Sequence, residues 1–440
     1  MRGEWTETTL GECATWMSGG TPFKGNVAYW TGPIPWVSAK DMKSFRLYDA
    51  EDHISTIAVG NGGKLIPAGN ILILVRGMTL HNDVPICMVM REMAFNQDIK
   101  ALCPAKNVDG NFLAYWLLAH KPDLLASVDH AGHGTGRLVT GTLKEKPLSL
   151  PPLPEQKRIA SILGSLDDKI ELNRRMNETL EGMARALFQS WFIDFDPVRQ
   201  NMDRIQSRPS PAASRHPLPM GEGRGEGANG MALFPTAFQD SPRGPIPEGW
   251  EVRSLDKTAD YLNGLALQKY PVGDGPALPV IKIAQLRRGD TADADQSSAD
   301  LPPEYIVNDG DVLFSWSGSL EVELWCGGRG ALNQHLFKVT SSEFQKWFYY
   351  LWTLHHLAEF RLIAAGKATT MGHIQRGHLT AAKVLVPPKP LLGAMTRIMS
   401  PLIDRIIANR IQSRTLAALR DALLPKLLSG ELSMQEMEGR

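Results

Sequence analysis

Cysteine is scarce in this chain. The four present, Cys13, Cys87, Cys103 and Cys326, form no CxxC pair and stand at no Cys/His spacing. That argues against a disulfide framework and against a zinc site, and fits a reducing cytoplasm. No run approaches the roughly 18 apolar residues that a bilayer span needs, and the opening MRGEWTETTLGE lacks the apolar core of a signal peptide. The expectation is a soluble, cytoplasmic protein without a membrane partner. There is no excess of either charge, since Lys plus Arg and Asp plus Glu both total 47. Any nucleic-acid surface must therefore be a local patch.

Catalytic motifs are missing as well. An adenine methyltransferase needs an Asn/Asp-Pro-Pro-aromatic loop, but the Pro-Pro pairs here read Leu150-Pro151-Pro152-Leu153, Leu301-Pro302-Pro303-Glu304 and Val386-Pro387-Pro388-Lys389. Gly366-Lys367-Ala368 has Arg361 where a phosphate loop carries its first Gly, and Ala368 in place of Ser/Thr. Glu155-x-Lys157 echoes the end of a nuclease motif but falls on the first turn of a helix. His355-His356 offers no third metal ligand nearby, and adjacent helical residues point apart. The sequence therefore predicts a chain with no catalytic residues, no metal and no cofactor of its own.

What is present is a repeat. From Pro151 to Trp191, after an extended Pro-rich lead-in, Ile159, Leu163, Leu166, Ile170, Asn173, Asn177, Leu180, Ala184, Leu187 and Trp191 recur at alternating steps of four and three. That is a coiled-coil seam. Adding 236 gives Met395, Met399, Leu402, Ile406, Asn409, Ser413, Leu416, Arg420, Leu423 and Leu427, which keep the character of all but Ala184. Each seam needs a partner, and the other copy is the simplest one. Pro401, inside the second copy, is expected to kink or delay its helix. The polar positions Asn173, Asn177, Asn409 and Ser413 are expected to set register.

The repeat extends outward. Trp5, Leu10 and Gly19 match Trp250, Leu255 and Gly264 at an offset of 245, and Pro35 matches Pro279 at 244. GNILILVRG from Gly69 matches GDVLFSWSG from Gly310 at 241, and Asn96-Gln97 matches Asn333-Gln334 at 237. Trp116, Gly136 and Leu143 match Trp352, Gly372 and Leu379 at 236. Within 440 residues of ordinary composition, 43% hydrophobic and 21% charged, this gives two homologous α+β globules, each followed by a long helix. The expected segments are a globule over 1–150, a helix over 151–198, a connector over 199–245, a second globule over 246–386 and a second helix over 387–436. Strands are expected at 71–75 and 312–316, and amphipathic helices at 111–128 and 343–364. The Pro, Gly, Ser and Arg-rich stretch at about 204–230 reads as a disordered insertion. A helix over 155–191 would run about 55 Å, and antiparallel pairing would put the globules at opposite ends around an internal pseudo-two-fold.

The order of these parts resembles the specificity subunit of type I restriction-modification complexes. The resemblance rests on PPLPEQ-x-x-I-A-x-I-L, a helix ending in FQSWFIDFDPVR, then ALFP…IPEGW, and a second helix ending in LRDALLPKLLSGEL. It covers the chain except the insertion. It implies two target recognition domains, each reading half of a bipartite double-stranded DNA site, with the helices setting the gap. It also implies two methyltransferase subunits and two restriction subunits as partners, which would carry S-adenosylmethionine, ATP and Mg. The competing classes are a free-standing pseudo-dimeric DNA-binding regulator and a scaffold unrelated to DNA.

Because the two halves of such a site differ, polar residues that differ at equivalent positions are the better readout candidates. These are Lys40 against Ala284, Ser38 against Lys282 and Arg76 against Ser317, with Ser315 beside the last. The loops HGTGR from His133 and TTMGH from Thr369 share only their fourth-position Gly. They add His133, Arg137 and His373, with Lys367 just before the second loop and Arg376 after it. The shared Asn96-Gln97 and Asn333-Gln334 read as turn-forming, and Trp316 reads as core. For partner subunits, Leu187, Phe188, Trp191, Phe192, Leu423, Leu424, Leu427 and Leu428 exceed what a two-helix seam can cover and read as an exposed apolar patch.

Overall fold

The computed structural model describes residues 5–129, 134–206, 233–366 and 372–432. It divides into two compact units, Met1–Lys169 with Leu416–Arg440, and Ile170–Thr415. The division cuts both long helices, Leu153–Phe192 and Lys389–Leu428. Each unit therefore holds one globule and a stretch of both helices.

In the first unit a five-stranded sheet runs in the order Ala14–Ser18, Ile99–Pro104, Ile71–Leu74, Ile86–Val89, Arg46–Leu47. A four-stranded sheet runs Asp52–Ile54, Ile34–Val37, Met93–Phe95, Leu65–Ile66. Ile71–Leu74 is buried at every position, so it reads as a continuous apolar run rather than an alternating one, as a central strand should. The second unit repeats the plan. Its sheets run Asp260–Asn263, Leu336–Thr340, Val312–Ser315, Val322–Leu324, and Gln296–Ser298, Ala277–Ile281, Gly330–Leu332, Ile306–Val307. The repeat is preserved to the register: Thr6 pairs with Leu150 where Glu251 pairs with Val386, and parallel Trp36 with Ala94 where Val280 pairs with Ala331. Gly19 and Gly264 recur because a Cβ there would lie 2.1 Å from the Asn96 carbonyl oxygen and 2.2 Å from that of Asn333.

The helix expected at 111–128 is two, Gly110–Ala119 and Lys121–Ala126, divided at His120, with Pro122 in the first turn of the second. Its counterpart, Lys346–Ala365, is unbroken. Pro401 does not delay the second long helix, which begins at Lys389 and continues through it. An unforeseen helix, Asp196–Gln206, buries Val198 against the second unit's aromatic core. From residue 207 to 230 the expected insertion lies outside the described residues.

In the second unit the long helices pair antiparallel through their polar seam positions. Asn173 Nδ2 donates to Gln412 Oε1 at 2.9 Å and to Ser413 Oγ at 3.3 Å. Asn409 Nδ2 donates to Asn177 Oδ1 at 2.9 Å, and Asn177 Nδ2 to the Ile406 carbonyl at 3.2 Å. Only one alignment lets these buried amides meet, which is how polar seam residues specify register.

The first unit joins its helices to its globule differently. Arg420, the seam position that broke the apolar repeat, donates from Nη1 to Asp167 Oδ1 at 2.7 Å. The buried Tyr115 hydroxyl donates to the other oxygen, Oδ2, at 2.6 Å, and Arg46 pairs with Asp168. In the second unit Arg410 plays that part with other partners, Glu181 at 2.9 Å and Glu323 at 3.2 Å. Burial holds the Glu323 carboxyl above its ordinary range, against the pull of Arg410.

Candidate nucleic-acid interface

The clearest polar site in each unit is built by one backbone frame. In the first unit, the chain leaving Ile71–Leu74 enters the short strand Arg76–Gly77, which pairs with Gly136–Arg137. Val75 N donates to the Asp98 carbonyl at 2.8 Å, and Leu138 N to the Val75 carbonyl at 2.9 Å. In the second unit Ser317 bridges His373. Trp316 N donates to the His335 carbonyl at 3.3 Å, and Ile374 N to the Trp316 carbonyl at 3.0 Å. The frame depends on close approach at the shared glycine: a Cβ on Gly136 would meet Leu80 Cβ at 2.7 Å, and one on Gly372 the Ala364 carbonyl at 2.6 Å.

On this common frame the side chains differ. Arg76 and Arg137 are exposed and directly opposite each other. In the second unit Ser317 is buried, and its Oγ meets His335 Nδ1 at 2.9 Å. Half-buried Trp316 donates from Nε1 to Asn263 Oδ1 at 2.8 Å, with the His335 and His373 rings 6.0 and 6.3 Å from its own. Arg376 donates to the Tyr261 carbonyl at 3.1 Å and lies over the Phe337 ring. Sequence reasoning singled out Arg76, Arg137, Ser317 and His373 but not their meeting, and it missed His335 and Asn263. His335 was findable by the same rule of difference, because Asp98 stands at its equivalent position.

Other candidates are held by local structure. Ser38 is held in its own turn, its N and Oγ both donating to Asp41 Oδ2 at 2.9 Å. Lys282 N donates to Gln285 Oε1 at 3.2 Å in the equivalent turn. Lys40 pairs with Glu51 at 3.2 Å and Asp52 at 3.0 Å, and Lys282 pairs with Asp295. Ser315 is buried, donating to the Ser319 carbonyl and accepting from Glu321 N. It closes a turn rather than facing a ligand, which corrects its assignment as a contact residue. His133 and Lys367 lie outside the described residues. Asn96 and Asn333 are turn residues, their Oδ1 atoms accepting from the backbone N of Asp98 and His335.

The expected apolar partner patch is also corrected. Phe188, Trp191 and Phe192 are buried in the second unit's core among Trp250, Trp347 and Trp352, with Leu187 packed against it. Leu424, Leu427 and Leu428 are buried in the first unit's core, with Leu423 against it. These side chains exceed the seam because the globules cover them. His356 is buried, its Nε2 meeting the Lys383 carbonyl at 3.0 Å. Among the described residues no His/Cys/Asp/Glu group could hold a metal, and no helix is long and apolar enough to cross a membrane.

Two α+β units that repeat one backbone frame with unlike side chains on it define an internally duplicated protein. The chain belongs to a known family of that class: residues 2–182 and 247–414 both match the type I restriction modification DNA specificity domain. It is 27% identical to the type I restriction enzyme MjaIX specificity subunit of Methanocaldococcus jannaschii, over 97% of this chain and 93% of the relative. It is 32% identical to the EcoR124I/EcoR124II specificity subunit of Escherichia coli over 42% of this chain and 44% of the relative. The fold is similar to the crystal structure of a type I restriction-modification system S subunit from M. genitalium, with a TM-score of 0.54 at 13% identity, covering 97% of this chain and 99% of that one.

Proposed function

We propose that this chain is the DNA-reading subunit of a type I restriction-modification complex, in which each unit reads one half of a bipartite duplex target and the paired helices set the unspecified gap. The observation that carries this reading is the common frame with unlike side chains, Arg76 and Arg137 in one unit and Ser317 and His373 in the other. A fixed backbone presenting variable donors is what two different half-sequences require. The chain brings recognition and no catalytic group. Two methyltransferase subunits would supply S-adenosylmethionine chemistry at adenine, and two restriction subunits ATP- and Mg-dependent cleavage of unmodified DNA. They would dock elsewhere than on Phe188, Trp191, Phe192, Leu424, Leu427 and Leu428, which the cores enclose.

The test is single-molecule sequencing of host DNA for N6-methyladenine with the gene intact and deleted. Loss of one motif made of two short blocks with a fixed gap is the expected result. Methylation that is identical in both strains overturns the proposal and favours a partner-free DNA-binding regulator.

A further inference from the structure

We propose that Arg76 and Arg137 form a guanine-reading pair confined to the first unit, an inference that rests on the DNA-reading function proposed above. The two face each other in the register of an antiparallel ladder, which puts their Cβ atoms roughly 5 Å apart on one face. Like charges so placed oppose the pairing that holds them. Both are exposed, and neither guanidinium has a hydrogen-bond or ion-pair partner among the described residues. Asp129 stands opposite Arg137 on its other side, so the face sets two guanidiniums beside one carboxylate, and Asp98 meets Val75 through its backbone carbonyl. This contrasts with Lys40, Lys282, Arg410, Arg414 and Arg420, each of which has a carboxylate.

Two unsatisfied forks side by side fit an acceptor-rich ligand, which on DNA means guanine O6 and N7 or a backbone phosphate. The duplication decides between them. Phosphate contacts carry no sequence information and serve both halves alike, so a phosphate clamp should recur in the second unit. Its equivalent positions are instead Ser317, turned inward to His335, and His373. The pair thus occupies a slot on the frame where the units differ, as a base-reading group should.

The test uses the whole complex in its host, with methylated motifs read by sequencing for wild type, Arg76→Gln, Arg137→Gln and Arg76→Lys. Each variant is expected to relax a G·C requirement in one half of the motif, lowering preference there on the order of ten- to hundredfold, with the other half unchanged. Arg76→Lys should also relax it, because lysine keeps the charge but loses the bidentate fork. An unchanged motif with a lower methylated fraction, rescued by lysine, would mean a phosphate contact and overturn the inference. So would an unchanged motif at an unchanged fraction, or relaxation at an A·T position. If a variant yields no methylation, wild-type complex is assayed on duplexes carrying 7-deazaguanine at each motif guanine. A tenfold or greater loss at one position in one half supports the pair, and no loss anywhere overturns it. A wild type that leaves no bipartite motif would defeat the functional reading itself, a distinct result.

Discussion

The first and second units share strand order and register apart from the edge strand Arg46–Leu47 of the first, but are tied to the helices by different chemistry. In the first, a buried carboxylate, Asp167, gathers a tyrosine hydroxyl and Arg420. In the second, an arginine, Arg410, gathers two glutamates, while a cluster of aromatic rings around Phe192 encloses the helix end. At the offset of 236, Asp167, Tyr115 and Arg420 fall opposite Ile403, Leu351 and Ala184, and Arg410 falls opposite Arg174, which pairs with a different carboxylate, Glu171. Apolar burial tolerates exchange of shape as long as volume is conserved, so the duplicated copies could keep one fold. Polar ties need specific partners and were settled separately in each copy.

Substitutions that break this comparison divide by how much burial they remove. Phe192→Ala should cost about 3–5 kcal/mol and melt the second unit, whereas Leu427→Ala should cost about 2–5 kcal/mol in the first. Differential hydrogen exchange of the two units in the full chain would separate them. Equal protection loss in both units after either change would mean that they do not fold as separable parts. The same burial means that Phe188→Asp with Leu424→Asp should abolish soluble chain, rather than leave folding intact and sever a partner.

Arg420→Met should destabilise the first unit by about 2 kcal/mol, less than the ~3–5 of a fully enclosed pair, because the Arg420 side chain keeps 25% exposure against 9% for Asp167. Thermal melting checks this, and an unchanged midpoint would show that Tyr115 satisfies Asp167 alone. Replacing Asn177 and Asn409 together by Leu should be neutral or stabilising by about 1 kcal/mol while loosening register. Its signature in host DNA is methylation at more than one spacer length, and a single spacer would sink the register role. Inserting a heptad before Asn173 should lengthen the spacer with both half-sequences kept.

The smallest effect is at the surface. Arg174, and then Arg175, hold the Glu171 carboxyl down at about 2. A carboxyl depressed on folding adds stability above its ordinary range, and that stability is lost as pH falls through about 2. The three side chains are partly exposed, so Glu171→Ala should cost under about 0.5 kcal/mol at neutral pH, with the difference from the parent vanishing in acid.

The two globules, their α+β class, the long helices and the polar seam were legible because periodicity and internal duplication are linear properties of the chain. Asn173 and Asn409 announce a register through spacing alone. The expectation that readout residues differ between the copies was enough to single out Arg76, Arg137, Ser317 and His373 one by one, but not to bring them together. Ser315 was misjudged because its partners, Ser319 and Glu321, are local but follow no period, and the ion pairs of Lys40 with Asp52 and Lys282 with Asp295 were unforeseen for the same reason. The helix ends were misjudged because an apolar stripe on a helix has the same pattern whether it meets a neighbour or solvent.

The sequence by itself thus determined the repeat, the fold class and where variation concentrates, since those follow from residue order. Only the tertiary structure decided that Arg76 meets Arg137, that Arg420 meets Asp167 and that Phe192 and Leu427 are enclosed. Each depends on strands and helices distant in the chain closing to a few ångströms, a distance that packing sets and that no local pattern encodes.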